Sequence, residues 1–111
     1  DSALLDIVDV TEGLKDNGII IINTRKNPKE INLKEFRVAT VDATGIALEL
    51  QLLVAGLPVL NTPMLGAFAK ATEEVKLESV LQVIKQEWSG PTGEKNAEAA
   101  SLAYERLVKG W

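Results

Sequence analysis

Four β-branched residues, Ile19-Ile20-Ile21-Ile22, follow one another without a polar interruption. That pattern suits a strand buried on both faces, as in parallel sheets covered by helices. Upstream, Leu4, Leu5, Ile7, Val8, Val10 and Leu14 recur at mixed helical spacings and predict a helix, which Asn17-Gly18 stops because such residues tolerate positive φ. Asn23 and Thr24 close the isoleucine strand. The polar stretch from Thr24 to Glu35 contains Asn27-Pro28 and reads as a loop with one helical turn, long enough to cross between parallel strands.

Phe36 to Val41 predicts a second strand, after which Asp42 or Thr44 caps a helix running to about Val54, with Gly56 placed to end it. This helix is mostly Ile, Ala, Leu and Val, so it is expected to be buried on more than one side. Leu57-Pro58-Val59-Leu60 reads as a brief extended piece whose proline suits a strand start or a sheet edge. The remainder predicts three helices, about Pro63 to Ala71, Leu77 to Trp88 and Gly93 to Lys109. Leu77, Val80, Leu81, Ile84 and Trp88 form one apolar stripe; Ala97, Ala100, Tyr104, Leu107, Val108 and Trp111 form another. Ser89 to Gly93 reads as a turn, with Thr92 available as a cap.

These elements predict a single α/β domain over residues 1–111: an incomplete doubly wound, three-layer arrangement with a mostly parallel sheet and a helical C-terminal half. An all-isoleucine strand left at a new edge invites aggregation, so the pattern reads as a portion of a larger sheet. With 46% hydrophobic and 25% charged residues the composition is that of a folded domain, not a disordered chain.

Cysteine and histidine are both absent. Disulfides, thiolate nucleophiles, iron–sulfur ligation by cysteine, imidazole bases and the usual zinc sites are thereby excluded from this sequence. The net charge of −4 and the lack of a basic block beyond Arg25-Lys26 argue against a nucleic-acid surface. The longest apolar run, Ile46 to Leu60, is interrupted by Glu49, Gln51, Gly56 and Pro58 and falls short of the ~20 residues that span a bilayer. Nothing resembles an export signal, so the default expectation is a cytoplasmic location without membrane contact.

The strongest candidate for ligand contact is the corner Asn61-Thr62-Pro63-Met64, where an extended piece meets a helix. Capping alone accounts for Asn61 or Thr62, with Pro63 at the first helical position. The functional alternative has the Asn61 amide meeting a ligand while flexible Met64 lines an apolar slot. Asp42 follows the end of a strand, where open α/β sheets bind ligands, and suits either a helix cap or a hydroxyl or Mg²⁺ contact. Asn23 and Thr24 hold the corresponding position on the first strand, although turn chemistry also explains them. Arg25, Lys26 and Lys29 form a small basic cluster that reads as a solvated loop. Lys95, in the first turn of the last helix, runs against the helix dipole and hints at a partner.

Three segments carry a family resemblance: Val41-Asp42-Ala43-Thr44-Gly45-Ile46-Ala47-Leu48-Glu49, the run from Val59 through Asn61-Thr62-Pro63-Met64 to Thr72, and Glu94-Lys95-Asn96-Ala97-Glu98-Ala99-Ala100. In this order they resemble the gamma subunit of 2-oxoacid:ferredoxin oxidoreductases, the pyruvate type above all. The resemblance implies a Rossmann-like fold and a non-catalytic role in subunit assembly and coenzyme A binding during oxidative decarboxylation to acyl-coenzyme A. It implies thiamine diphosphate and [4Fe-4S] clusters on partner subunits and ferredoxin as electron acceptor, with no catalytic residue or metal in this chain. Asn61 and Met64 are the leading implied coenzyme A contacts, with Thr62 next, and coenzyme A phosphates become the alternative to a solvated loop for Arg25, Lys26 and Lys29.

The glycine-rich loop near the start of such subunits, roughly Gly-x-Gly-Gly-Gln-Gly, has no counterpart here. The chain is therefore read as the C-terminal portion of the gamma domain, with roughly the first third of the pattern absent. Lys76 stands where relatives often carry serine, and lysine cannot cap the helix that follows. Two alternatives stay open: an interaction scaffold with no ligand of its own, and the related subunit of an indolepyruvate or 2-oxoglutarate enzyme.

Overall fold

The computed structural model describes residues 6–9 and 18–111. The isoleucine run forms β2 (Ile19–Asn23), paired in parallel with β3 (Arg37–Val41). The alternation of a strand divides their side chains between two faces. Ile19, Ile21, Ala39 and Val41 face one core; Ile20, Ile22 and Val38 face another. Ile21 and Ile22 have no exposed surface, and each contributes about 1.5–3 kcal/mol of burial. The two-faced burial expected of this strand is thus present.

Its neighbours differ from expectation. Asp6–Asp9 form β1, antiparallel to β2, where the spacing predicts helix; the rest of that predicted helix lies outside the described residues. Pairing along β2 satisfies the backbone groups of its outer edge, a tertiary gain that local spacing does not report. On the other side β6 (Val108–Lys109) pairs antiparallel with β3, so the sheet order is β1-β2-β3-β6. The sheet is therefore mixed rather than mostly parallel. The predicted last helix correspondingly ends at Arg106, and Trp111, expected on its stripe, instead lies between the Arg37 and Lys109 cations.

The predicted long helix after β3 is α1 (Ala43–Glu49), capped by Asp42 as expected and ended well before Val54. Beyond it β4 (Leu53–Val54) and β5 (Leu57–Pro58) form a hairpin. Ala55 and Gly56, with φ of 53° and 79°, make its turn, so Gly56 serves a hairpin with both central residues at positive φ and not a helix end. Then follow α2 (Asn61–Thr72), α3 (Leu77–Glu87) and α4 (Gly90–Arg106). Lys76 precedes α3 without a side-chain cap, as its chemistry requires.

Helices α1, α2 and α4 cover the Ile19/Ile21 face, and α3 rests on α4 through Ile84, Val80, Leu81 and Trp88. The opposite face is covered by Ile31, Leu33 and Phe36 of the β2–β3 connection, whose only helical piece is a 3-10 turn at Pro28–Glu30. A full third layer of helix is thus replaced, among the described residues, by this connection. Three contacts align α2 with α4: Thr62 with Asn96, Gly66 with Ala100, Lys70 with Tyr104. All advance in the same direction, so the two helices run parallel, with the start of α2 beside the second turn of α4. At the far end Lys109 bonds Glu73 at 2.9 Å, tying β6 to the end of α2 and holding the Glu73 carboxyl below the usual carboxylate range.

Candidate functional site

The expected contact residues fall at two ends of the molecule. At the carboxyl ends of β2 and β3, Asn23 accepts from the Ala43 and Thr44 amides at 2.8 and 3.2 Å and donates to Thr44 Oγ1 at 2.9 Å. Asp42 Oδ1 accepts from Gly45 N at 2.9 Å. A strand residue and the N-cap together satisfy the free amides of α1, which is the demand every helix start makes. Asp42 keeps its second oxygen for Arg25, 3.8 Å away. Thr24 Oγ1 accepts from the Lys26 amide at 3.2 Å, the turn bond its residue type favours.

At the other end, α2 starts at Asn61 with no side chain capping it, so the expectation that Asn61 or Thr62 serves as the N-cap is not met. Asn61 is exposed; its Oδ1 accepts from the Thr62 amide at 3.0 Å, and its amide nitrogen has no partner among the described residues. Thr62 is completely buried and donates to Asn96 Oδ1 at 2.8 Å, while Asn96 Nδ2 donates to the Thr92 carbonyl at 2.8 Å. A buried polar pair persists only when satisfied in this way. Thr62 is therefore a strut between the start of α2 and the second turn of α4. Met64 is half-buried against the main core.

Beside this strut lies a cleft of about 220 Å³ lined by Leu53, Val54 and Val59 on the apolar side and Gln51, Thr92, Lys95 and Asn96 on the polar side. Lys95 lines this cleft, and because α4 begins at Gly90 it stands in the second helical turn and not, as expected, in the first. The two ends are about 15 Å apart along α4, taking the rise from Asn96 to Arg106. Asn61, Thr62 and Met64 gather at one; Asn23, Thr24 and Asp42 gather at the other.

The family model described as pyruvate ferredoxin/flavodoxin oxidoreductase matches residues 1–106. The chain belongs to this family. Among its relatives, the pyruvate/ketoisovalerate oxidoreductases common subunit gamma of Thermococcus kodakarensis is 54% identical over 97% of the chain. The pyruvate synthase subunit PorC of Methanothermobacter thermautotrophicus is 46% identical over 98% of it. The chain spans 58% and 57% of those two relatives. A crystal structure of pyruvate oxidoreductase subunit PORC from Thermotoga maritima superposes with a TM-score of 0.74 at 30% identity, covering 90% of this chain and 56% of that one.

Within this oxidoreductase family member, no group of three or more His, Cys, Asp or Glu side chains is placed to hold a metal ion among the described residues. No helix among them is long and apolar enough to cross a membrane. Three contributors to the two ends are not apparent from local sequence pattern. Asn96 stands out there only as part of a family match, because its burial against Thr62 depends on how α2 meets α4. Arg106 carries no local signal because its placement depends on how α4 meets the sheet. Half of the hairpin is hidden, since β4 falls at the end of the predicted helix while β5 matches the expected extended piece; the absence of any charge between Glu49 and Lys70 marks the segment.

Proposed function

We propose that this chain is part of the gamma subunit of a 2-oxoacid:ferredoxin oxidoreductase acting on pyruvate, and that it serves assembly and coenzyme A binding without supplying a catalytic residue. The observation that carries the reading is the 54% identity, over nearly all of the chain, to a subunit named as gamma in pyruvate and ketoisovalerate oxidoreductases. Thiamine diphosphate and iron–sulfur clusters then belong to companion subunits, and ferredoxin is the electron acceptor of the complex. In such a reaction coenzyme A supplies the thiol that receives the acyl group.

The Asn61 end fits part of coenzyme A on chemical grounds. A cleft with one apolar wall and one wall bearing Gln51, Lys95 and Thr92 suits an arm that alternates methylenes with amides. Asn61 adds an exposed amide donor and Lys95 a cation; Thr62 positions the corner from beneath. The assembly role draws on the hairpin, where Val54 and Leu57 are 68% and 69% exposed. A two-stranded hairpin is marginal in water alone, and an exposed apolar tip of this kind favours a protein partner.

Calorimetric titration of coenzyme A into the purified native complex tests the ligand role. Saturable binding that weakens about 2- to 10-fold in Asn61→Ala is expected, the cost of one lost hydrogen bond. Binding that ignores this substitution would leave the chain as a scaffold at this end. Substrate profiling of the same complex separates pyruvate from indolepyruvate and 2-oxoglutarate.

A further inference from the structure

The connections that leave β2 and β3 depart to opposite faces of the sheet. After β2 the chain packs Ile31, Leu33 and Phe36 on the Ile20/Ile22/Val38 face. After β3 it enters α1, whose Ile46 and Ala47 join Ile21 and Val41 on the other. Two parallel neighbours that diverge in this way leave a crevice between their carboxyl ends, and open α/β sheets take ligands there.

That crevice is present, with a volume of about 240 Å³, between Thr24, Arg25, Lys26 and Asn27 after β2, Thr40, Val41 and Asp42 at the end of β3, and Arg106 and Val108 beyond α4. Its lining carries three cationic side chains, Arg25, Lys26 and Arg106, against one carboxylate, Asp42. Arg25 is held only by the 3.8 Å approach to Asp42, with its side chain 90% exposed, so this pair contributes no more than about 1 kcal/mol and yields to a better anion. Lys26 has no carboxylate partner among the described residues. Arg106 is fixed by two bonds to Glu49, at 3.3 and 3.2 Å, and Glu49 is outside the lining. Thr24 Oγ1 accepts from the Lys26 amide and keeps its own hydrogen to donate.

We propose that this crevice is a binding site for a phosphoryl group, gripped by Arg25, Lys26 and Arg106 with the Thr24 hydroxyl as a neutral donor. With Asp42 and Glu49 counted against Arg25, Lys26 and Arg106 the local charge stays positive, and guanidinium and ammonium donors are the groups that bind phosphate oxygens most strongly. The volume is below that of sites for drug-sized ligands, so it is the phosphoryl group and not a whole nucleotide that is enclosed. The crevice lies about 15 Å along α4 from the Asn61 corner.

Calorimetry on the native protein, with inorganic phosphate and with adenosine 5′-monophosphate at constant ionic strength, tests it. Saturable binding at about 1 mM or tighter is expected for at least one probe. Equal affinity identifies free phosphate as sufficient; tenfold preference for the nucleotide identifies a phosphate ester. Lys26→Ala and Arg25→Ala, both at exposed positions, are expected to weaken binding about fivefold or more, as loss of a charge-assisted bond does. Lys29→Ala, outside the crevice, and Asn61→Ala, at the other end, should leave it unchanged. No saturable binding of either probe, or equal weakening by Lys29→Ala, overturns the proposal.

Discussion

At the residue scale, side chains chosen as ligand contacts prove to serve backbone and neighbour first. Asn23 and Asp42 satisfy the amides that α1 leaves free, and Asp42 retains an oxygen for a further contact. Asp42 as a cap was legible because the rule is local; Asn23 bonding residues 20 and 21 positions away was not. Thr62 illustrates the same limit, since its role depends on Asn96, 34 positions later. Replacing Thr62 by valine keeps the shape but leaves Asn96 Oδ1 buried without its donor. A loss of about 1–3 kcal/mol is expected, read from the denaturant midpoint of the native protein. An unchanged midpoint would mean that water reaches Asn96, and that the strut is not a stability element.

At the element scale the decisive feature is how closely α2 and α4 approach. Gly66 lies against the backbone of Ala100, and a Cβ built there collides with the Ala100 carbonyl. Ala67, Ala97, Ala100 and Ala103 around it are buried, consistent with helices in near-backbone contact. Gly66→Ala gains up to about 1 kcal/mol in helix propensity. The clash is with rigid backbone, so overpacking, at about 1–3 kcal/mol, outweighs that gain. Net destabilisation in thermal unfolding is expected; a raised Tm would show that the helices can part without cost. The hydrophobic pattern located α2 and α3 within about two residues, a usual margin. It overran α1 because Leu52, Leu53 and Val54 continue an apolar sequence whose geometry changes at Gln51, with φ 55°.

At the scale of the whole molecule, an uncharged segment from Leu50 to Ala69 ends up partly as core and partly as an exposed hairpin. If that tip is a subunit contact, Val54→Lys combined with Leu57→Lys should reduce co-purification of companion subunits severalfold. Stability of the chain itself should stay within about 0.5 kcal/mol, as for surface substitutions. Intact assembly of this variant would move the interface elsewhere. The sequence by itself determined family, α/β class, the doubly buried isoleucine strand and the helices of the C-terminal half, because these rest on local periodicity and local capping. Only the tertiary structure decided the mixed sheet, the parallel contact of α2 with α4 and the meeting of Arg106 with Arg25 and Lys26 in one crevice. Each depends on which backbone edges and apolar faces meet across long sequence separations. Local periodicity carries no record of those meetings.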